Sequence, residues 1–269
     1  MELLINGPAA LRGFLPNVLR EVKGEVPLYD KMVPFLELAQ KWLCAHFLPE
    51  ELVWCCGTLA GHAVAVEAYR LAVPQLDIVL TPNGFATVGS QNLVPASKMR
   101  TDRLVDGLLR ERDAALALLL RELPSVPGWL ESPQGRWFSA TFFPFLDDVL
   151  CPEVFSGSWK KYLELRPRVE SVESEVAERW LSPELLADLR VKHVAGVLSP
   201  VEFSLVSKLR PMIVAALDGT DLDVARLDSL VDFVRKRPSD FPLWVDSETA
   251  QLFRPPVFRN EKDSRGYFF

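Results

Sequence analysis

The phrase Pro127-Gly128-Trp129-Leu130-Glu131-Ser132 returns 115 residues later in the same chain as Pro242-Leu243-Trp244-Val245-Asp246-Ser247. Tryptophan is scarce, and the phrase follows neither the helical nor the strand period, so amphipathicity alone does not generate the match. A second match lies upstream at an offset of 133. Pro34-Phe35-Leu36-Glu37 through Phe47-Leu48-Pro49-Glu50 aligns with Pro167-Arg168-Val169-Glu170 through Trp180-Leu181-Ser182-Pro183. Core positions keep their character: Leu36 with Val169, Ala39 with Val172, Leu43 with Val176, Phe47 with Trp180. Phe138 and Phe253 share the offset of 115. The offset falls by 18 residues between the two blocks, about the length of one hairpin with its flanks. The pattern predicts two diverged copies of one helical unit, residues 1–150 and 151–269, with a hairpin in the first copy only. Chance likeness between amphipathic helices is the competing account.

Hydrophobic period sets the fold class as mainly α. Tyr29 to Phe47 carries Met32, Phe35, Leu36, Ala39, Leu43 and Phe47 at spacings of three and four, one face of a helix. Pro49-Glu50-Glu51-Leu52 restarts a short helix, and Gly61 to Ala72 is apolar enough for a buried one that ends before Pro74. Thr101 to Leu123 reads as a long helix with Leu104, Leu108, Ala115, Leu119 and Leu123 on one face. The alternating charges of its first stretch suit a solvated outer face. Ser182-Pro183-Glu184 and the capping box Ser199-Pro200-Val201-Glu202 open later helices, and Asp223 to Arg237 forms another. Glu2 to Ile5 reads as a strand, followed by a helix that Asn6 caps with Pro8 in its first turn. Leu76 to Thr81, Pro82-Asn83-Gly84 and Phe85 to Val88 read as a hairpin at about residues 76–88, because Asn-Gly supplies the positive φ angles of a tight turn. Ser132 and Ser247 are expected to cap helices, each with its tryptophan anchored just before it.

Bulk properties exclude more than they assign. Hydrophobic residues make up 49% and charged residues 25% of the 269, which is globular composition. A mean hydropathy of +0.10 leaves apolar surface for partners. The net charge of −6 argues against specific nucleic-acid binding, since adherence to phosphates calls for a basic surface. The opening residues lack the charged and apolar regions of a signal peptide, and the longest strongly apolar run, Ala114 to Leu120, is short of the ~20 residues a membrane span needs. No membrane association is expected. Four cysteines suit a reducing compartment, and the expected location is cytoplasmic.

The common catalytic constellations are missing from the string. The histidines His46, His62 and His193 stand at no metal-ligand spacing, and no HExxH occurs. Cys44, Cys55, Cys56 and Cys151 form no C-x-x-C, and the vicinal pair reads as packing. Gly57-Thr58-Leu59-Ala60-Gly61 has threonine where a nucleophile elbow needs serine. Asp147-Asp148 reads as solvated acids at a junction. The sequence therefore assigns no catalytic, cofactor-binding or metal-binding residue, no cofactor and no enzymatic activity.

Several ordered motifs carry a resemblance. They are Glu2-Leu3-Leu4-Ile5-Asn6, the helix ending in Phe47-Leu48-Pro49-Glu50-Glu51-Leu52, the Leu76 to Val88 hairpin, the Ala96-Ser97 to Arg100 helix entry and the repeated Pro-x-Trp phrase. Together they resemble an uncharacterised family, a domain of unknown function, found in Bacteroidetes genomes, largely in prophage regions among head and packaging genes. More distantly, the layout of each unit resembles the small helical head–tail connector (adaptor) proteins of tailed phages. The resemblance implies a non-enzymatic structural or assembly protein that joins a homo-oligomeric ring on the phage portal or another head or tail protein. Its site would be the host cytoplasm and then the virion, at the head–tail junction. The alternative is a helical enzyme or small-molecule-binding protein with an unrecognised pocket.

Overall fold

The computed structural model describes residues 2–15, 26–76, 78–81, 84–87, 97–147 and 157–254, without the side chains of 78–81 and 84–87. The chain is mainly helical: α1 (Pro8–Phe14), α2 (Leu28–His46), a 3₁₀ segment (Glu50–Cys56), α3 (Gly57–Leu76), α4 (Lys98–Glu122), α5 (Pro133–Phe138), α6 (Trp159–Val176), α7 (Pro183–Ala195), α8 (Pro200–Leu217), α9 (Val224–Arg235), α10 (Pro242–Val245) and α11 (Glu248–Leu252). Strand β1 (Ile78–Thr81) pairs antiparallel with β2 (Gly84–Thr87), Ile78 opposite Thr87 and Thr81 opposite Gly84. Pro82 and Asn83 of the connecting turn lie outside the described residues, as do Asp148, Cys151 and residues 255–269. Compactness divides the chain into Met1–Pro167 with Val194–Gly196, and Arg168–His193 with Val197–Phe269. That division falls inside α6, whereas the sequence match places its seam at 150/151.

In the first unit, α3 packs against both α2 and α4. The face predicted for α2 is the buried one, with Met32, Leu36, Ala39 and Leu43 all removed from solvent. α3 runs past its expected limits, starting at Gly57 and continuing through Pro74. A proline so close to the helix end forfeits one hydrogen bond, and the burial of Ala63, Val64, Val66, Ala68 and Ala72 outweighs that loss. Residues 50–76 have the length and hydropathy of a membrane-crossing helix, a signal that the short run at 114–120 did not give. More than half of the apolar window is buried among the other helices, and it contains a paired glutamate.

Two N-terminal expectations need correction. Residues 2–5 form no strand, and among the described residues no neighbouring strand pairs with them. The side-chain amide of Gln40 takes that place: its Oε1 accepts from the Leu4 N–H at 2.9 Å and its Nε2 donates to the Glu2 carbonyl at 2.8 Å. The cap of α1 is Gly7, not Asn6, and no side chain bonds to the helix start. Pro8 at the first position needs no donor there. On α4, Leu108, Ala115, Leu119 and the following Leu123 are buried as expected, but Leu104 is 41% exposed.

The second unit is built from the later half of α6 with α7 to α11. A π-helical turn (Ala177–Leu181) ends α6, and the fully buried Ser182 at φ +67° redirects the chain. Its hydroxyl accepts from the Leu185 N–H at 3.2 Å, opening α7. The Ser199/Glu202 capping box is present at α8, and Asp223 caps α9 through the Arg226 N–H. Val176, Leu181, Leu189, Leu205, Leu209, Ile213, Leu227, Val234 and Trp244 form this unit's core.

Candidate interaction surfaces and the buried polar groups behind them

A helix leaves its last carbonyls without intrahelical partners. In the first unit, the indole N–H of Trp129 donates to the carbonyl of Phe47, the C-cap of α2, at 2.8 Å. Ser132 then donates to the Trp129 carbonyl at 2.6 Å and accepts from the Gly135 N–H at 3.0 Å, which starts α5. Gly135 has to be glycine, since a Cβ there would lie 1.9 Å from the Trp129 carbonyl oxygen. In the second unit, the indole N–H of Trp244 donates to the carbonyl of Trp180 at 2.9 Å. Ser247 donates to the Trp244 carbonyl at 2.6 Å and accepts from the Ala250 N–H at 3.1 Å. Trp129 lies 6.1 Å from Phe138 with an interplanar angle of 29°, and Trp244 lies 6.4 Å from Phe253 at 38°.

A buried charge network ties four helices of the first unit together, α2, α3, α4 and the start of α6. Arg70 grips Glu67 with two hydrogen bonds of 2.7 Å, which raises the Arg70 pKa. Arg112 reaches the same carboxylate at 3.2 Å, bonds Asp113 through Nε at 3.0 Å, and lies 5.2 Å from the centre of the Trp42 ring. Asp113 also accepts from the Trp159 N–H at 3.3 Å. Arg112 and Asp113 therefore belong to the core, although their neighbours in the charged stretch of α4 are solvated. The available signal was Glu67, an acid among the apolar residues of α3 that needs cations to be buried, one of them Arg70 on the next turn. In the second unit, the fully buried Glu173 is matched by Arg190 at 2.8 Å.

The histidines and cysteines are scattered. His46 is exposed at the end of α2, 5.9 Å from the Trp42 ring. His62 pairs with Glu111 at 3.1 Å on the outer surface of α3 and α4, and His193 lies in the last turn of α7. Burial, with smaller contributions from Glu50 and Glu51, pushes the Cys44 thiol up to about 11, while Cys55 is exposed. Burial, then Cys55 and Glu122, raises Cys56. Thr58 lies in the first turn of α3, not on a strand-to-helix elbow. Among the described residues, no three His, Cys, Asp or Glu side chains are placed to hold a metal.

Among the described residues, cavities open to solvent lie in both units. One of about 590 Å³ follows α4 and is lined by Arg110, Asp113, Leu118, Arg121, Asp147 and Ser158. Its two carboxylates are already held by arginines, Asp113 by Arg112 and Asp147 by Arg121 at 2.9 Å. A second, of about 360 Å³, is aromatic, with His46, Trp137 and Trp159 beside Gln134. The third, of about 430 Å³, lies between α8 and α9, with Met212, Leu230 and Phe233 below Lys208 and Arg226. Large apolar side chains also stand in solvent: Trp54 and Met99 in the first unit, and Val197, Phe203 and Leu252 in the second, the last at 72%.

Residues 19–139 match the model of a family of unknown function, DUF6712. No curated protein matches the chain, and no solved structure does. The matched span takes in α2 to α5, and so the whole of the first Trp129 anchor.

Proposed function

We propose that the chain is a non-enzymatic structural or assembly protein of a tailed phage, a head–tail connector subunit built from two diverged copies of one helical unit. The duplication is supported by the paired anchors. Phe47 and Trp180 stand at equivalent sequence positions, and so do Trp129 and Trp244; in each unit the later residue donates to the carbonyl of the earlier. Pro34 and Pro167, also equivalent, both lie inside helices. The family match, residues 19–139, lies wholly within the first copy and ends one residue past α5.

The assembly role rests on one observation: several charged groups are buried and paired inside the units, while large apolar side chains are left outside. Glu67, Arg112, Asp113 and Glu173 are buried and paired, whereas Phe203, Val197, Leu252 and Met99 stand more than half exposed. Side chains of this kind are what an assembly contact would cover, and where they adjoin they would form the contiguous apolar patch that marks contact with other proteins. A net charge of −6 suits a ring through which DNA must slide without sticking. The phage context itself rests on the resemblance of the ordered motifs. The test is to incubate the purified chain with its cognate portal and to weigh and image the product. A ring on the portal is expected. No binding to portal, adaptor or tail proteins at micromolar concentration ends the connector reading, and saturable turnover of a small molecule, lost on one substitution in the α4 groove, would replace it with the enzyme alternative.

A further inference from the structure

Residues 2–15 form an arm on the first unit, an irregular stretch over 2–7 followed by α1, which packs on α3. Gln40 takes the Leu4 N–H and the Glu2 carbonyl, and the Tyr29 hydroxyl donates to the Ile5 carbonyl at 3.0 Å. These contacts read backbone and not sequence. Ile5, Leu11 and Leu15 supply the buried side chains. Phe14 rests on a notch in α3: a Cβ on Gly61 would meet its Cζ at 2.8 Å, and its ring stacks on His62 at 6.2 Å. Twelve residues, 16–27, join this arm to α2. Fully stretched they span on the order of 40 Å, so chain length does not tie the arm to its own groove.

We infer that this groove is an interface between copies of the chain, in which residues 2–15 of one copy occupy the Gln40–Gly61 groove of the next. The partner is a second copy, and the contacts are those already formed within one chain. Closure and exchange therefore bury the same groups, and they differ only in how often an arm meets a groove. A short tether holds its own arm at an effective concentration on the order of 1 mM. Neighbours packed side by side in an assembly reach that range, so the balance tips toward exchange where copies are gathered and toward closure in dilute solution. This rests on the proposed assembly role only in requiring that copies meet.

The experiment mixes two full-length variants. In one the arm is spoiled, Ile5→Asp with Leu11→Asp. In the other the groove is spoiled, Gly61→Val, whose side chain occupies the place of the Phe14 ring. Each alone is expected to be monomeric by native mass spectrometry, and the mixture to contain a one-to-one complex of doubled mass. Two monomers in the mixture, with helix content retained by circular dichroism, overturn the inference. If either variant loses its helices, a fluorescent peptide of residues 2–15 is added to the wild-type chain at about 1 mM, the scale of the tether itself. Anisotropy that rises, and falls again with unlabelled peptide, supports exchange; no rise overturns it. Portal binding without the mixed complex sinks exchange alone, and the mixed complex without portal binding sinks the connector reading alone.

Discussion

Replacing either anchor tryptophan by phenylalanine keeps an aromatic ring in the core and removes the indole N–H. Trp129 is 1% exposed and Trp244 4%, so no water replaces the lost donor without a cavity being opened. The Phe47 or Trp180 carbonyl is then left as a buried acceptor at a helix end, which costs about 1–3 kcal/mol. Full truncation to alanine adds the loss of ring packing and reaches about 3–5 kcal/mol, the range for large core aromatics. The second unit has roughly a hundred residues; on that scale 1 kcal/mol moves the melting temperature by about 4–8 °C. Trp244→Phe should therefore lower the transition of that unit by at least about 4 °C, and Trp129→Phe should act with the same sign on the larger first unit by about half as much per kcal/mol. The assay is differential scanning calorimetry of both single variants and the double variant. The two losses should add, since the anchors share no partner. Two phenylalanine variants that melt with the wild type would refute the reasoning, because the indole bond would then do nothing that packing does not.

Other perturbations follow from paired groups. Burial alone would raise the Glu202 carboxyl, yet hydrogen bonds from Lys192 and from the Ser199 backbone hold it below the ordinary carboxylate value. Its folded pKa is thus depressed, so the stability it confers is present above the ordinary pKa and is lost as pH falls through the folded one. Glu202→Gln should melt earlier than wild type at pH 7, with the gap closing below about pH 4. At pH 8, iodoacetamide should label the exposed Cys55 well before Cys44, whose thiol sits near 11; equal rates in peptide mass mapping would contradict the burial of Cys44. Arg112→Met strands Asp113 and half of the partnership of Glu67, and should cost about 3–5 kcal/mol by chemical denaturation, far more than an exposed arginine of α4 such as Arg110.

The helices were legible where period and punctuation agreed. The buried face of α2, the Ser199 box and the serines after each anchor tryptophan all carried local signals that the fold obeys. Three of the misses share one cause, a tertiary partner or packing that local sequence does not name. Glu2 to Ile5 has the composition of a strand but finds a glutamine amide instead of a neighbouring strand. Pro74 ended α3 on propensity, but packing carried the helix through it. Arg112 and Asp113 continue a charged run and differ from it only because Glu67 lies across from them. The surfaces were the least legible. An exposed Phe203 and a buried Phe138 are the same residue in a string, and only the fold shows which one faces solvent.

Gln40 and Glu173 stand at equivalent positions of the sequence match, and both are fully buried. The amide accepts from the Leu4 N–H and donates to the Glu2 carbonyl at the same time. A carboxylate accepts only, so Glu173 cannot hold a backbone in this way and is matched by Arg190 instead. The arm is therefore a device of the first unit, and one substitution should remove it. Gln40→Glu leaves the Leu4 contact possible but turns an oxygen toward the Glu2 carbonyl and buries a charge with no cation supplied. That costs about 3–5 kcal/mol when ionised. Such a carboxyl has a raised folded pKa, so its handicap is smallest below the ordinary value near 4.3 and grows as pH rises; once protonated it regains a donor for the Glu2 carbonyl. The expected result is that residues 2–15 are protected from hydrogen exchange at pH 4 and lose that protection at pH 7, while Gln40→Met is impaired equally at both. A Gln40→Glu arm as protected at pH 7 as that of the wild type would show that the amide is not what holds it.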